Sequence, residues 1–444
     1  MKENWLTRVR LSGSSALALS TIVTNAIRLV STMCLTRLLS PSVYGIVGII
    51  LSIFYMVNMI TDIGLQSYVV RHERSDEPGF LDAVFSIHAV RGVFLAVIAT
   101  ILAWPISSIM SKPQLFAPLV VSSLVFVIDG QVSLHQFRAL RDGMVQRFAA
   151  LDLVTGVSQT ITGIILAFLL RNVWAIVGSM LIASSVRAWC TYALFPGGRH
   201  QFRRDREVAA DLWSFSRVVA ISSSLMLVVG QFDKLALGRI LPLEKFGLYV
   251  LAASLASLPT AFAVNYGSTI TYPAVAAAWR EGRSIAEAYY GCWRRFFYLY
   301  AFAGGGLIGA ADLVVRILYD RRYAPVAPYL SILAVSTALS LATVSVERLE
   351  VAKGRPRISV EMNIIRLTWL AVGAFLGLMS GNSMVLVITI GSVQVPAYGY
   401  GVWRLARTHL VSWSRELSLV LVIVMGGAAG RIASYVGEII LRHI

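Results

Sequence analysis

The sequence predicts an all-α polytopic membrane protein, and three observations carry that expectation. Hydrophobic residues fill 57% of the 444 positions and charged residues only 14%, with a mean hydropathy of +0.71, whereas soluble domains carry about 25% charged residues. Apolar runs of about 20 residues, each long enough to cross a roughly 30 Å hydrocarbon core, recur from end to end. The short loops between them alternate between arginine-rich and arginine-poor. No stretch is long enough for a separate soluble domain.

Periodicity and loop signals place helices at about 14–39, 43–66, 84–108, 115–138, 148–170, 173–195, 213–238, 244–270, 292–318, 328–350, 357–380, 382–406 and 416–438. That makes 12 transmembrane helices plus a possible 13th segment at the C-terminus, where Gly426, Gly427, Gly430 and Arg431 weaken the apolar run. The basic loops contain Arg8 and Arg10, Arg71 and Arg74, Arg138 to Arg147, Arg199 to Arg206, Arg280 and Arg283, Arg348 to Arg357, and Arg404 to Arg415. The positive-inside rule assigns that set, and the N-terminus, to the cytoplasm. The first apolar run exceeds the roughly 7–15 residues of a signal-peptide core. It contains Arg28 and reads as an uncleaved first helix.

Composition also removes function classes. A net charge of +16 would suggest nucleic acid in a soluble protein. Here the basic residues sit in short loops that set orientation and meet anionic headgroups, so no nucleic-acid partner is expected. Cys34, Cys190 and Cys292 lack paired or zinc-ligand spacing and read as apolar fillers. There is no phosphate-binding Gly-rich lysine loop, no nucleophile triad and no metal or cofactor signature. The chain is expected to be neither an enzyme nor a cofactor protein.

The longest connection, from Pro196 to about Leu212, divides the chain into a lobe over 1–200, a second over 201–410, and an extra hydrophobic segment over 411–444. The halves repeat. Arg37-Leu38-Leu39-Ser40-Pro41-Ser42-Val43-Tyr44-Gly45 and Arg239-Ile240-Leu241-Pro242-Leu243-Glu244-Lys245-Phe246-Gly247 share one pattern at identical spacing. Asp62-Ile63-Gly64 then aligns with Asn265-Tyr266-Gly267, one residue out of register. Six-helix repeats run parallel, related by a pseudo-twofold axis along the membrane normal, as in many transporters.

Polar stripes mark a candidate cavity. A charge near mid-span costs about 2.5–3.5 kcal/mol on insertion scales, so it faces a cavity or a partner. On the first helix Thr21, Thr24, Asn25, Arg28, Ser31 and Thr32 share one side. The second carries Ser52, Tyr55, Asp62 and Gln66, and the eighth Ser254, Ser257, Asn265 and Ser268. The seventh groups Ser216, Ser223, Gln231 and Lys234, with Arg217 at the margin. Arg366, in the eleventh, offers a second cation. The bland readings are a structural Arg28–Asp62 pair, a snorkelling Arg217 and a locally paired Asp233–Lys234. Glu347 and Glu350 beside Arg348 read as ion-paired, and His88 and Asp129 stand isolated.

The Arg37–Gly45 element, Asp62-Ile63-Gly64-Leu65, and Gln231-Phe232-Asp233-Lys234 leading into Arg239–Gly247 resemble the polysaccharide-transporter branch of the multidrug/oligosaccharidyl-lipid/polysaccharide superfamily. That branch includes O-antigen and exopolysaccharide flippases, and the resemblance covers about residues 10–410. It implies two six-helix lobes in a V shape in the bacterial inner membrane. It also implies alternating access that carries undecaprenyl-pyrophosphate-linked oligosaccharide to the periplasm, for surface polysaccharide biosynthesis. Within it, Arg28 would meet the pyrophosphate, and Asn25, Tyr55 and Tyr266 the sugar. Polymerase or other assembly proteins are the partners it suggests. The alternatives are a non-transporting platform for glycan enzymes and a cation-coupled multidrug exporter. The exporter would be expected to place an acid where this chain has Arg28.

Overall fold

A computed structural model describes residues 23–60, 64–77, 79–195, 197–293 and 295–442, apart from the side chains at 60, 76, 145, 217–229, 295 and 440–442. Among these residues every extended element is a helix, and the helices gather into two compact units, 1–235 and 236–444. The first contains α1 (23–38), α2 (Pro41–Ile60), α3 (Leu65–Arg71), α4 (Phe80–Ile109), α5 (Phe116–Ser122), α6 (Leu124–Asp129), α7 (His135–Arg141), α8 (Val145–Leu170), α9 (Val173–Leu194) and most of α10 (Arg206–Ile240). The second continues with α11 (Leu243–Tyr266), α12 (Tyr272–Arg280), α13 (Ile285–Gly291), α14 (Arg295–Gly309), α15 (Ala311–Leu318), α16 (Val326–Ala352), α17 (Arg357–Ser380), α18 (Ser383–Gly391), α19 (Gln394–Arg407) and α20 (Trp413–Arg442).

Nine of these stretches are long and apolar enough to span a membrane among the described residues. A tenth arises if the bent pair 296–309 and 311–318, which meet at 78°, counts as one. The chain is a multi-pass membrane protein, and among the described residues several of the runs expected to be unbroken are interrupted, for local reasons. The run expected at 115–138 divides into α5, α6 and α7. The run at 43–66 is interrupted at Gly64, which adopts φ 58° ahead of α3. Only such a left-handed residue lets the chain turn there, and glycine does so without a Cβ clash. The run at 292–318 breaks at Ala310. The runs at 14–39 and 213–238 fall partly outside the described residues.

The repeated nine-residue element builds the same turn in each unit. Leu39 N–H closes the end of α1 on Leu35 O, and Leu241 N–H closes α10 on Leu237 O, each at 2.8 Å. Pro41 and Pro242 then sit at the start of the next helix, where a missing N–H costs nothing. Leu39 and Phe246 are 0% exposed, Leu241 4% and Tyr44 8%. The conserved spacing therefore encodes a buried apolar clamp around a proline turn.

The connection after α9 is shorter than expected because Asp205 caps α10 early, its Oδ1 accepting from the N–H groups of Glu207 and Val208. Val208 and Leu212 pack with Tyr68, Phe80 and Leu134. His200 pins the connection down. Its Nδ1 lies 2.9 Å from Asp82 Oδ1, and Leu134 N–H donates to its Nε2 at 3.1 Å. The His135 ring stacks on it at 4.6 Å. Burial, then the neighbouring His200 and Arg138, lower the His135 pKa below its ordinary value.

The thirteenth segment is a full helix. Its glycines, which weaken it by sequence, are its contact face. A Cβ on Gly305 or Gly309 of α14 would run into the carbonyls of Ile423 or Gly427, and one on Gly426 or Gly430 of α20 into those of Phe302 or Gly306. The two backbones touch directly, as small residues allow in a membrane. At its N-terminal end Glu416, 6% exposed, accepts from Tyr290 Oη at 2.7 Å and from Tyr398 Oη. Tyr298 Oη meets Ser418 Oγ at 2.9 Å.

Gly309→Ala should loosen α20 and lower the melting temperature in detergent, by the order of 1–3 kcal/mol typical of overpacking. Gly399→Ala, in a helix where a Cβ meets nothing within 4 Å, should leave it unchanged or raised. Equal effects of the two would contradict the packing assigned to α14 and α20. A second expectation concerns pH. A histidine whose folded pKa is depressed contributes stability that is present above the unfolded value of about 6.5 and lost as the pH falls towards the folded one. His135→Phe should therefore flatten the decline of melting temperature between neutral and mildly acidic pH.

Candidate functional site

The polar stripe of α1 is partly exposed and partly packed. Thr24 lies against α8, with its Cγ2 3.8 Å from where a Cβ on Gly156 would stand. Asn25 is half-buried and Arg28 exposed, with Thr32 Oγ1 donating to the Arg28 carbonyl at 2.8 Å. On α2, Ser52 is 1% exposed and donates to Gly48 O, while Tyr55 is 39% exposed. Ser52 therefore serves its own helix and Tyr55 is the surface group. Thr21 and Asp62 lie outside the described residues, as does the Arg217 side chain. Gln231 is 7% exposed and accepts from Lys234 Nζ at 3.3 Å. That lysine thus has an amide partner one turn away.

In the second unit, Ser254 and Ser257 spend their hydroxyls on the carbonyls of Leu251 and Ser254. Asn265 is exposed. Tyr266, the sugar contact implied by the resemblance, is instead a packing residue. It is 7% exposed and its hydroxyl donates to Cys292 O at 2.7 Å. A π-helical turn, Gly267–Thr271, follows it. A Cβ at Gly267 would stand 2.5 Å from Val344 Cγ1, so glycine lets this turn approach α16. The positions aligned between the halves thus both interrupt a helix, by a break at Gly64 and by a π-turn at Gly267.

Arg366 is the most informative of the expected residues. It is half-buried on α17, and its Nη1 donates to Asn363 Oδ1 at 2.7 Å and its Nη2 to Gln394 Oε1 at 3.3 Å. Its Nε is buried with no hydrogen-bond partner. Neutral amides orient the guanidinium, and the Glu347 carboxylate acts on it electrostatically. By contrast, Glu350, 0% exposed, is compensated by Lys353 Nζ at 2.7 Å and Arg404 Nη2 at 3.6 Å rather than by its sequence neighbour Arg348. Glu347 accepts from Ser359 at 2.6 Å. These carboxylates belong to a structural network.

Asn363 and Gln394 were not legible as site residues. Asn363 stands three positions before Arg366 on the same helical face, a signal that spacing carries. Gln394 reaches it only through tertiary packing of α17 against α19. His88 and Asp129, isolated in the sequence, come together: His88 Nε2 lies 3.1 Å from the Asp129 carbonyl.

Comparison with known proteins agrees with this architecture. The family model described as "Polysaccharide biosynthesis protein" matches residues 34–328. Among curated relatives, an "Uncharacterized membrane protein in cps region" of Klebsiella pneumoniae is 22% identical, over 92% of this chain and 87% of its own length. The "Succinoglycan biosynthesis transport protein ExoT" of Rhizobium meliloti (strain 1021) is 21% identical, over 72% of this chain and 65% of its own length. Among solved structures, the "Lipid II flippase MurJ, inward closed conformation" matches with a TM-score of 0.71 at 10% identity, covering 97% of this chain and 100% of that one. The chain therefore belongs to the polysaccharide biosynthesis protein family, and its fold is that of the flippase structure it matches.

Proposed function

We propose that this protein translocates a lipid-linked, anionic oligosaccharide from the cytoplasmic to the periplasmic leaflet by alternating access of two six-helix lobes. The observation that carries the reading is Arg366, a cation within an apolar helix, held by two amides and with Nε unpartnered. An intramembrane charge of that kind is expensive, and an anionic cargo would add to the electrostatic compensation that Glu347 provides. Arg28, exposed on α1, is the second cation of the proposal. A pyrophosphate linking glycan to an undecaprenyl tail fits a guanidinium well, because the planar fork offers paired donors. The tail would remain in the bilayer. The relatives, named for succinoglycan transport and for a cps region, support a surface polysaccharide as the product.

Glycan export in cells lacking the native gene tests the reading, with variants compared at matched membrane levels. Arg366→Ala and Arg28→Ala should each leave lipid-linked oligosaccharide on the cytoplasmic leaflet, lowering export by tenfold or so, about 1.4 kcal/mol. Arg28→Lys should recover part of it. Normal export by both alanine variants would remove the cationic site and favour a platform that assembles glycan enzymes without moving their product.

A further inference from the structure

After α14 the chain turns sharply. α15 follows it at a bend of 78° and packs against the last turns of α20. Two features bring these helices close. Ser434 Oγ accepts from Leu313 N–H at 3.3 Å, satisfying one of the donors that the first turn of a helix leaves open. Gly437 has no Cβ, and one there would stand 2.6 Å from Leu313 Cδ1. Ala311 and Val315 are the buried face of α15, while Asp312 and Arg316 are exposed one turn apart.

Beside this contact lies a cavity of about 440 Å3, and four side chains of alternating sign surround it. Arg431 Nη1 stands 3.5 Å from Asp312 Oδ2, with the side chains 76% and 53% exposed. Arg316 Nη2 stands 3.9 Å from Glu438 Oε1, with 49% and 40% exposed. A charge-assisted hydrogen bond closes to about 2.7–2.9 Å, so both pairs are loose. Exposed pairs of this kind contribute little to stability. All four side chains remain accessible.

α20 carries the cavity to headgroup depth. Its first residue is Trp413, exposed and of the type that anchors at a membrane interface. At 1.5 Å per residue, Arg431 and Glu438 stand about 27 and 38 Å further along the helix. The roughly 30 Å hydrocarbon core ends between them. An apolar track leads there from the middle of α20. Leu421, Met425, Ile432 and Tyr435 share one face at helical spacing, each between 55% and 68% exposed. Ile432 and Tyr435 also line the cavity itself.

The charges decide what kind of occupant fits. A simple anion would meet Asp312 and Glu438, and a simple cation would meet Arg316 and Arg431. A zwitterion gains from both pairs. Its phosphate suits the guanidiniums, which offer paired donors, and a primary ammonium suits the carboxylates. The track supplies a bed for acyl chains. We infer that the corner between α15 and α20 binds a zwitterionic aminophospholipid of the surrounding leaflet, its phosphate at Arg316 and Arg431 and its ammonium at Asp312 and Glu438. The inference needs only the membrane embedding of the chain and is independent of the transport reading. Bound there, the lipid fastens α15 to the end of α20.

Purified full-length protein, delipidated in detergent, tests it. The probes are dioctanoyl phosphatidylethanolamine, dioctanoyl phosphatidylglycerol, and glycerophosphoethanolamine, which lacks acyl chains. Native mass spectrometry should show the ethanolamine lipid retained about fivefold better than the glycerol lipid, the ratio expected of one partly exposed charge contact. Asp312→Asn combined with Glu438→Gln removes the partners of the ammonium and leaves both guanidiniums. That variant should reverse the preference towards the glycerol lipid. Arg431→Gln should weaken retention of both lipids, and it carries the test if the double variant does not fold. A purely structural role for these side chains predicts a lower melting temperature with lipid retention and preference unchanged, and that result would overturn the proposal. Equal retention of the two lipids by the wild type would do the same. Glycerophosphoethanolamine binding as tightly as the whole lipid would remove the acyl track, and with it the assignment to a lipid.

Discussion

The structure depends on one constraint: helices in a bilayer gain no hydrophobic free energy from meeting one another. Lipid is as apolar as leucine, so association has to come from close van der Waals contact and from polar groups that find partners. This chain answers with glycine. Gly305 and Gly309 on α14 meet the Ile423 and Gly427 carbonyls on α20, Gly426 and Gly430 on α20 meet the Phe302 and Gly306 carbonyls on α14, Gly92 on α4 meets the Phe126 carbonyl on α6, and Gly391 on α18 lies against the Ile332 carbonyl on α16. Each contact brings two backbones together where any side chain would hold them apart. The same residues that dilute the apolar character of α20 are the ones that attach it.

Polar side chains follow a second rule from the same constraint. Many of the described serines and threonines on the helices turn back to a carbonyl three or four residues earlier, as Ser52, Thr155, Ser254 and Thr389 do. Such hydroxyls are satisfied locally and have less to offer a ligand. A polar stripe therefore overstates a binding surface. The groups that stand out are those whose chemistry the fold leaves incomplete, such as the Nε of Arg366. Glu416 and Glu350 are buried too, but Glu416 accepts from two tyrosines and Glu350 lies against Lys353 and Arg404, and they hold helices in place.

Function follows from this contrast. Orienting a guanidinium with amides keeps its charge available, whereas pairing it with a carboxylate would spend it. Arg366 gives its hydrogen bonds to amides, with Glu347 acting on it electrostatically, whereas Arg404 faces Glu361 at 3.2 Å and Glu350 at 3.6 Å.

Much of this was written in the sequence, because hydropathy and spacing are local. The length of the apolar runs determined the multi-pass helical class, and the repeated Arg37–Gly45 and Arg239–Gly247 elements marked two equivalent proline turns. The charge of Arg28 and Arg366 within apolar helices singled them out by cost alone. Tertiary structure decided what spacing does not encode. It broke the expected 43–66 and 292–318 helices, made α20 integral through glycines, buried Tyr266 against Cys292, and brought Gln394 to Arg366. It also set Asp312 and Arg316 against Arg431 and Glu438. Those outcomes turn on which helix faces meet, and a helix's partner is set by the fit of two surfaces, which neither surface carries alone.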